Sequence, residues 1–173
     1  MEKRFEGKVV VITGGSRGIG KGIAERFVRE GAKVCVVAND PLVHETAAEL
    51  RAMGAQAISA ETDVTSSEQV KALYERVAQE LGEVDISIQN AGVITVARLE
   101  DLTEGEWDKI LAVNTKGVYL CCREAALRMR KAGKKGRLIN TASTQARQGF
   151  IYTPHYAASK FGVIGITQSL AIE

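Results

Sequence analysis

From Lys8 to Glu173 the chain alternates short apolar runs with segments of helical period, and that alternation constrains the fold more than any other feature. Lys8–Ile12, Lys33–Val37, Gln56–Ala60, Val84–Ile88 and Gly136–Asn140 read as strands. Between and after them, Gly18–Arg29, Pro41–Met53, Ser66–Leu81, Thr103–Lys131 and His155–Glu173 read as helices. Pro41 suits a first helical turn, and Ser66 or Ser67 caps the third helix. Asn114 and Gly117 mark a place where the 103–131 stretch divides into two pieces. Strands separated by helices of this length pair in parallel through right-handed crossovers, which puts helices on both faces of the sheet. The expected class is α/β, a doubly wound parallel sheet. With no repeat, low-complexity tract or linker, residues 1–173 read as one domain.

Composition removes several alternatives. Lys and Arg total 23 against 21 for Asp and Glu, a net charge of +2, so nothing argues for a nucleic-acid partner. The basic run Arg128–Arg137 reads as the cationic end of a helix and the loop after it. The apolar run after the charged start covers only Val9–Ile12, too short for a signal-peptide core, and no stretch has the length needed to span a bilayer. Cys35, Cys121 and Cys122 are odd in number and lack metal-ligand spacing. They read as free, buried thiols in a reducing compartment, so a cytoplasmic location without a metal site is expected.

After the first strand comes Thr13-Gly-Gly-Ser-Arg-Gly-Ile-Gly20, leading directly into a helix. Glycines at 14, 18 and 20 permit a tight turn and let backbone N–H groups approach a pyrophosphate, which the positive end of the helix dipole favours. Such a turn by itself also serves as a plain helix start. The pattern is not G-x-G-x-x-G, and Gly22 follows Lys21 where a nucleoside-triphosphate loop needs Ser or Thr, so kinase or GTPase chemistry is disfavoured. In an open parallel sheet ligands bind outside the carboxyl ends of the strands, where strand order reverses. The remaining motifs fall at those ends.

Together these motifs resemble the short-chain dehydrogenase/reductase family, over about residue 7 to the end. The likeness rests on the Thr-Gly-x-x-x-Gly-x-Gly loop, Asp63 after the third strand, Asn90-Ala91-Gly92 after the fourth, Asn114 in the long helix, Ser143 after the fifth strand, and Tyr156-x-x-x-Lys160. The resemblance implies a Rossmann-type fold and a nicotinamide cofactor. It implies that cofactor contacts come from Thr13, Gly14, Ser16, Arg17, Gly18, Ile19 and Gly20, from Asn39 and Asp40 after the second strand, and from Asp63 and Val64. Asn90, Ala91, Gly92 and Val113 join them, as do Tyr156 and Lys160.

The residue types also carry a chemical argument. Interconverting an alcohol and a ketone by hydride transfer requires a group that takes or gives the hydroxyl proton. A phenol, with an ordinary pKa of about 10, needs a nearby cation to stabilise its phenolate. Tyr156 and Lys160 are one helical turn apart, on one face and within mutual reach. Ser143 can donate a hydrogen bond to a developing alkoxide. The resemblance adds that Lys160 also bonds the nicotinamide ribose and that Asn114 holds a water linking Lys160 to solvent. Taken singly, a Tyr-x-x-x-Lys pair is an ordinary surface pair, a serine after a strand is a turn residue, and Asn114 could relieve a helix irregularity. His44 and His155 read as structural, although His155 adjoins Tyr156 and could line the pocket.

An acid at the end of the second strand suits a ribose 2′-OH, whereas a base there suits a 2′-phosphate. Here Val37-Ala38 is followed by Asn39-Asp40, so NAD is favoured over NADP, with Arg17 as the counterargument. Ser143-Thr-Gln-Ala146 resembles polyol, sugar and acetoin-type members, so a small secondary alcohol, polyol or ketone is the expected substrate. Members continue past the point where this sequence stops, so the chain is expected to be a C-terminally truncated piece of a homo-oligomeric (dimeric or tetrameric) parent. A dinucleotide-binding relative without turnover, truncated or sensor-like, is the competing expectation.

Overall fold

The computed structural model describes residues 3–173, and its frame is a five-stranded, all-parallel sheet. The strands are β1 (Val9–Thr13), β2 (Lys33–Ala38), β3 (Ala57–Glu61), β4 (Ile86–Gln89) and β5 (Arg137–Asn140), in the spatial order β3-β2-β1-β4-β5. The helices are α1 (Gly18–Arg29), α2 (Leu42–Ala52), α3 (Ser67–Glu80), α4 (Glu104–Leu111), α5 (Gly117–Lys131) and α6 (Pro154–Ile172). The chain steps outward from β1 to β3, then returns to the other side of β1 with β4. The reversal point, and the crevice that goes with it, therefore lies between β1 and β4.

The central strand shows why these residues choose strand. All five residues of β1, Val-Val-Val-Ile-Thr, are buried, as expected of a parallel strand covered on both faces. Its side chains alternate. Val10 and Ile12 pack with Ala24 and Val28 of α1 and with Val43, Ala47 and Leu50 of α2. Val9 and Val11 face the opposite layer, with Leu73, Tyr74 and Val77 of α3 and Leu120, Cys121 and Ala125 of α5. Two cores thus sandwich one sheet.

Each sequence-read element is present, with shifted ends. Pro41 sits at the N-cap of α2, one residue before its first turn. Of the two candidate caps for α3, Ser66 is the one used, its Oγ accepting from Gln69 N at 3.3 Å. The 103–131 stretch does divide. A capping box of Thr103 and Glu106 starts α4, and a π-helical turn, Ala112–Lys116, joins it to α5. Cys35, Cys121 and Cys122 are free and buried, and burial pushes the Cys35 and Cys121 thiols up to about 12 and Cys122 up to about 11. Among the described residues no helix is long and apolar enough to cross a membrane, and no cluster of three His, Cys, Asp or Glu side chains could hold a metal.

Candidate active site

The crevice between β1 and β4 is closed at its floor by side chains and opened at its mouth by glycines. Thr13, the last residue of β1, has its Oγ1 accepting from the N–H groups of Asn90 at 3.0 Å and Ala91 at 3.1 Å. Asn90 answers with its amide, Nδ2 donating to the carbonyls of Thr13 and Gly14, each at 3.2 Å. The glycine loop and the segment after β4 are thereby one rigid unit. Gly14 has φ +65°, and a Cβ there would stand 2.9 Å from Ala91 Cα. A Cβ on Gly20 would overlap the Gly14 carbonyl oxygen outright. These two positions must be glycine for the loop to fold as it does.

Above this unit lies a cavity of about 380 Å3, lined by Gly14, Ser16, Arg17, Asn39, Asp40, Asp63, Val64, Asn90, Ala91, Gly92 and Val113. The ends of four strands and the start of α1 thus converge on one space. Asp40 spans its rim: its Oδ2 accepts from Ser16 Oγ at 3.1 Å and faces Arg17 Nη2 at 3.9 Å. Its Oδ1 is buried without a partner. That oxygen is sealed from solvent and stands as an unsatisfied acceptor beside the cavity. The glycine cradle and the Asp40 carboxylate on the cavity wall fit a dinucleotide, with its pyrophosphate at the start of α1 and a ribose at Asp40. Thr13 holds the floor from outside the cavity. Gly18 and Ile19 lie outside it too, and the Ile19 side chain is 70% exposed.

The second half of the constellation is carried by α6. Lys160 is only 3% exposed, and its Nζ donates to the Thr141 carbonyl at 2.9 Å and stands 5.8 Å from the centre of the Tyr156 ring. Tyr156 and Lys160 therefore share a face and a neighbourhood. Burial pushes the Lys160 ammonium below its ordinary range, since no carboxylate compensates the lost hydration. Ser143 caps a short 3-10 turn, Thr144–Ala146, with its Oγ accepting from Gln145 N at 3.2 Å, which leaves its own hydroxyl hydrogen free to be donated.

Asn114 occupies the π-helical turn and is fully buried. Its Oδ1 accepts from Val93 N at 2.8 Å, and its Nδ2 donates to Val93 O at 2.9 Å and Ser159 Oγ at 3.0 Å. A Cβ on Gly92 would stand 3.3 Å from Asn114 Oδ1 and 3.5 Å from Lys160 Nζ. Gly92, Asn114 and Lys160 therefore border one small space. His155 is fully buried, with Nε2 bonded to Thr95 Oγ1 at 2.8 Å and Nδ1 unpartnered. His44 lies on the surface against Ser59 and Glu61.

Sequence reading passed over Lys109 and Val93, which line the cavity, and Thr141 and Ser159, which satisfy Lys160 and Asn114. Lys109 was detectable in principle. It precedes Val113 by one helical turn and so shares its face.

The short chain dehydrogenase family model matches residues 8–173. The chain belongs to the short-chain dehydrogenase family. It is 35% identical over 98% of its length to a D-threitol dehydrogenase of Mycolicibacterium smegmatis, and 38% identical over 97% to an uncharacterized oxidoreductase of Thermotoga maritima. It spans 65% and 66% of the lengths of those two relatives. A short chain dehydrogenase from Mycobacterium smegmatis superimposes with a TM-score of 0.96 at 32% identity, covering 99% of this chain and 72% of that one. A Burkholderia phymatum short chain dehydrogenase/reductase, solved in complex with NAD, superimposes with a TM-score of 0.93 at 33% identity, covering 98% of this chain and 60% of that one. Short-chain dehydrogenases are oxidoreductases that bind nicotinamide cofactors, and this chain has their Rossmann-type, doubly wound sheet.

Proposed function

We propose that this short-chain dehydrogenase interconverts a secondary alcohol and its ketone, with Tyr156 as the general acid/base, and that residues 1–173 act as its NAD(P)-binding domain. The observation that carries the reading is the Lys160 ammonium, buried beside the Tyr156 ring and away from any carboxylate. A buried, unpaired cation is costly, and stabilising a neighbouring phenolate gives it a purpose. When bound, the nicotinamide accepts or supplies the hydride. In the oxidising direction the Tyr156 hydroxyl oxygen takes the proton of the substrate hydroxyl, and in the reducing direction it returns a proton to the carbonyl oxygen. Ser143 Oγ donates a hydrogen bond to that same oxygen as its negative charge develops. Lys160 favours the ionised phenol throughout, and the space shared by Gly92, Asn114 Oδ1 and Lys160 Nζ suits a water that passes protons outward.

NAD is the proposed cofactor. Asp40 places a carboxylate on the cavity wall just after β2, a partner for a ribose hydroxyl and a repulsive neighbour for a 2′-phosphate. Thr13, Gly14, Ser16, Gly18, Ile19, Gly20 and Asn90–Gly92 form or support the phosphate cradle. Arg17, Asn39, Asp63, Val64 and Val113 border the adenosine side. The Ser143-Thr-Gln-Ala146 stretch supports a polyol, sugar or small diol. The relatives' names reach from D-threitol to a 3β-hydroxysteroid in Mediterraneibacter gnavus, so they favour neither polar nor apolar alcohols. Exposed Tyr119 and Leu127 on α5 and Phe161 on α6 support self-association as a dimer or tetramer, and the reduced, buried thiols support a cytoplasmic setting.

The test is formation of reduced nicotinamide, followed by absorbance, over a panel of secondary alcohols and polyols. Turnover that disappears in Tyr156→Phe supports the reading. Cofactor binding without turnover of any panel member would replace it with a binding protein.

A further inference from the structure

The cavity above the glycine loop has four charged side chains in its wall: Arg17, Asp40, Asp63 and Lys109. Three of them are engaged within the chain. Asp40 Oδ2 accepts from Ser16 Oγ at 3.1 Å and faces Arg17 Nη2 at 3.9 Å. Asp63 Oδ1 accepts from the N–H of Thr65 at 2.9 Å. Lys109 stands apart. Its side chain is exposed, and among the described residues its ammonium forms neither an ion pair nor a hydrogen bond.

The local sequence explains both its place and its isolation. Lys109 lies in the last turn of α4, where the helix dipole favours a cation. Ile110 beside it is fully buried, whereas Val113, four residues on, lines the same cavity. The helix face that meets the cavity therefore runs through Lys109 and Val113. A lysine on a helix surface finds its acidic partner three or four residues away. Here Gly105, Ala112 and Val113 carry no charge. The fourth such position, Glu106, is held by the capping box, with Oε2 accepting from Thr103 Oγ1 at 3.1 Å. Lys109 is thus a cation on a cavity wall with no acid of its own helix to satisfy it. Without it that wall would hold one cation against two carboxylates, a poor host for an anion.

We propose that Lys109 is a second anchor for the cofactor: its ammonium pairs with the diphosphate of the bound dinucleotide from the α4 side of the cavity. The glycine loop and the start of α1 offer that group backbone N–H donors but no full positive charge. Arg17 has the charge, yet Asp40 draws it toward the ribose side. The diphosphate is the anionic part of the dinucleotide, and a lysine, a point charge with three donors on a flexible stem, suits it. Lys109 binds cofactor in this scheme and takes no part in proton transfer. The inference rests on the dinucleotide reading of this cavity.

The experiment is calorimetric titration of the chain, wild type, Lys109→Gln and Lys109→Arg, with NAD, ADP-ribose and adenosine. It reads binding and needs no turnover. At low salt Lys109→Gln should weaken NAD and ADP-ribose about five-fold, the upper range for a solvent-exposed ion pair. Adenosine, which has no phosphate, should bind all three proteins equally, and Lys109→Arg should recover most of the loss. Added sodium chloride should weaken NAD binding to the wild type more steeply than to Lys109→Gln, until the two affinities meet. A residue that merely shaped the helix would not produce that salt dependence. Equal NAD affinity in the wild type and Lys109→Gln at low salt would overturn the anchor. So would an equal loss for adenosine, which would move Lys109 from the diphosphate to the adenine. A wild-type chain that binds neither NAD nor ADP-ribose would defeat the dinucleotide reading itself, a result distinct from binding that ignores Lys109.

Discussion

Gly20 and Gly22 lie two residues apart in the first turns of α1, and alanine at the two positions should change stability in opposite directions. At Gly20 a Cβ would overlap the Gly14 carbonyl oxygen and stand 2.7 Å from Asn90 Nδ2. Neither neighbour can yield cheaply, because Gly14 is held at φ +65° and Asn90 Nδ2 donates to the Thr13 and Gly14 carbonyls. Overpacking of a tight site costs about 1–3 kcal/mol, and a lost buried hydrogen bond adds about 1 kcal/mol. Gly20→Ala should therefore lose about 2–4 kcal/mol. At Gly22 a Cβ would meet nothing within 4 Å, and relief of backbone entropy should gain about 0.5–1 kcal/mol. Urea unfolding gives both values from midpoints at constant slope. NAD affinity, read from calorimetry, should fall only for Gly20→Ala, since only there does the cradle move. If the two variants unfold within about 0.5 kcal/mol of each other, a spread typical of neutral surface changes, the close approach of α1 to the loop is wrong.

Four further outcomes are expected. Ser143→Ala should reduce turnover by about 10²–10³-fold, the usual effect of losing one donor to a developing oxyanion, with a small drop in thermal midpoint from the lost cap on Gln145. Lys160→Met should abolish measurable turnover without lowering the thermal midpoint. Because the folded-state pKa of Lys160 lies below 10.5, wild-type stability relative to the variant should rise as pH climbs through that lowered value, and a flat difference in urea midpoint would refute the burial argument. Asp40→Arg should shift the ratio of kcat/KM toward NADP, and no shift would remove Asp40 from cofactor choice. Hydrogen bonds from Arg4 and Arg26 hold the Glu30 carboxyl down at about 2, against an ordinary 4.5. Its contribution is therefore complete above pH 4.5 and lost as pH falls toward 2, so Glu30→Gln should destabilise at pH 7 and flatten the acid limb of the stability profile.

Buried parallel strands declare themselves as runs such as Val-Val-Val-Ile, which is why the sheet and its order of elements were legible without coordinates. The dyad was legible for a similar reason, since a spacing of four residues on a helix fixes a shared face. What sequence could not reveal depends on single-residue geometry or on partners far along the chain. A π turn differs from an α turn by one residue, so the break at Ala112–Lys116 appeared only as an irregularity near Asn114 and Gly117. Pro41 fits an N-cap as well as a first turn, and its neighbours decide. The positive φ of Tyr152 runs against residue preference altogether. The bonds from Asn114 to Val93 and from His155 to Thr95 join segments that no local pattern relates.

Those same long-range bonds explain how the chain can keep an ammonium buried at Lys160. Desolvation disfavours the charge, so every nearby group has to be either an acceptor or absent. Thr141 supplies the acceptor through its carbonyl, and Gly92 supplies the absence, because a Cβ there would crowd Asn114 Oδ1 at 3.3 Å and put a methyl group in contact with Lys160 Nζ at 3.5 Å. The π turn completes the arrangement. By bulging at residues 112–116 it sets the Asn114 amide across the gap between Val93 and Ser159, tying the segment after β4 to the middle of α6. Without that tie Gly92 would be free to move relative to Lys160, and the small space beside the ammonium would lose its shape. Thr13 performs the corresponding service at the other end of the same segment, fixing Asn90 and Ala91 to β1. The four residues from Asn90 to Val93 are therefore clamped at both ends, which lets the glycine loop and α6 hold a constant separation.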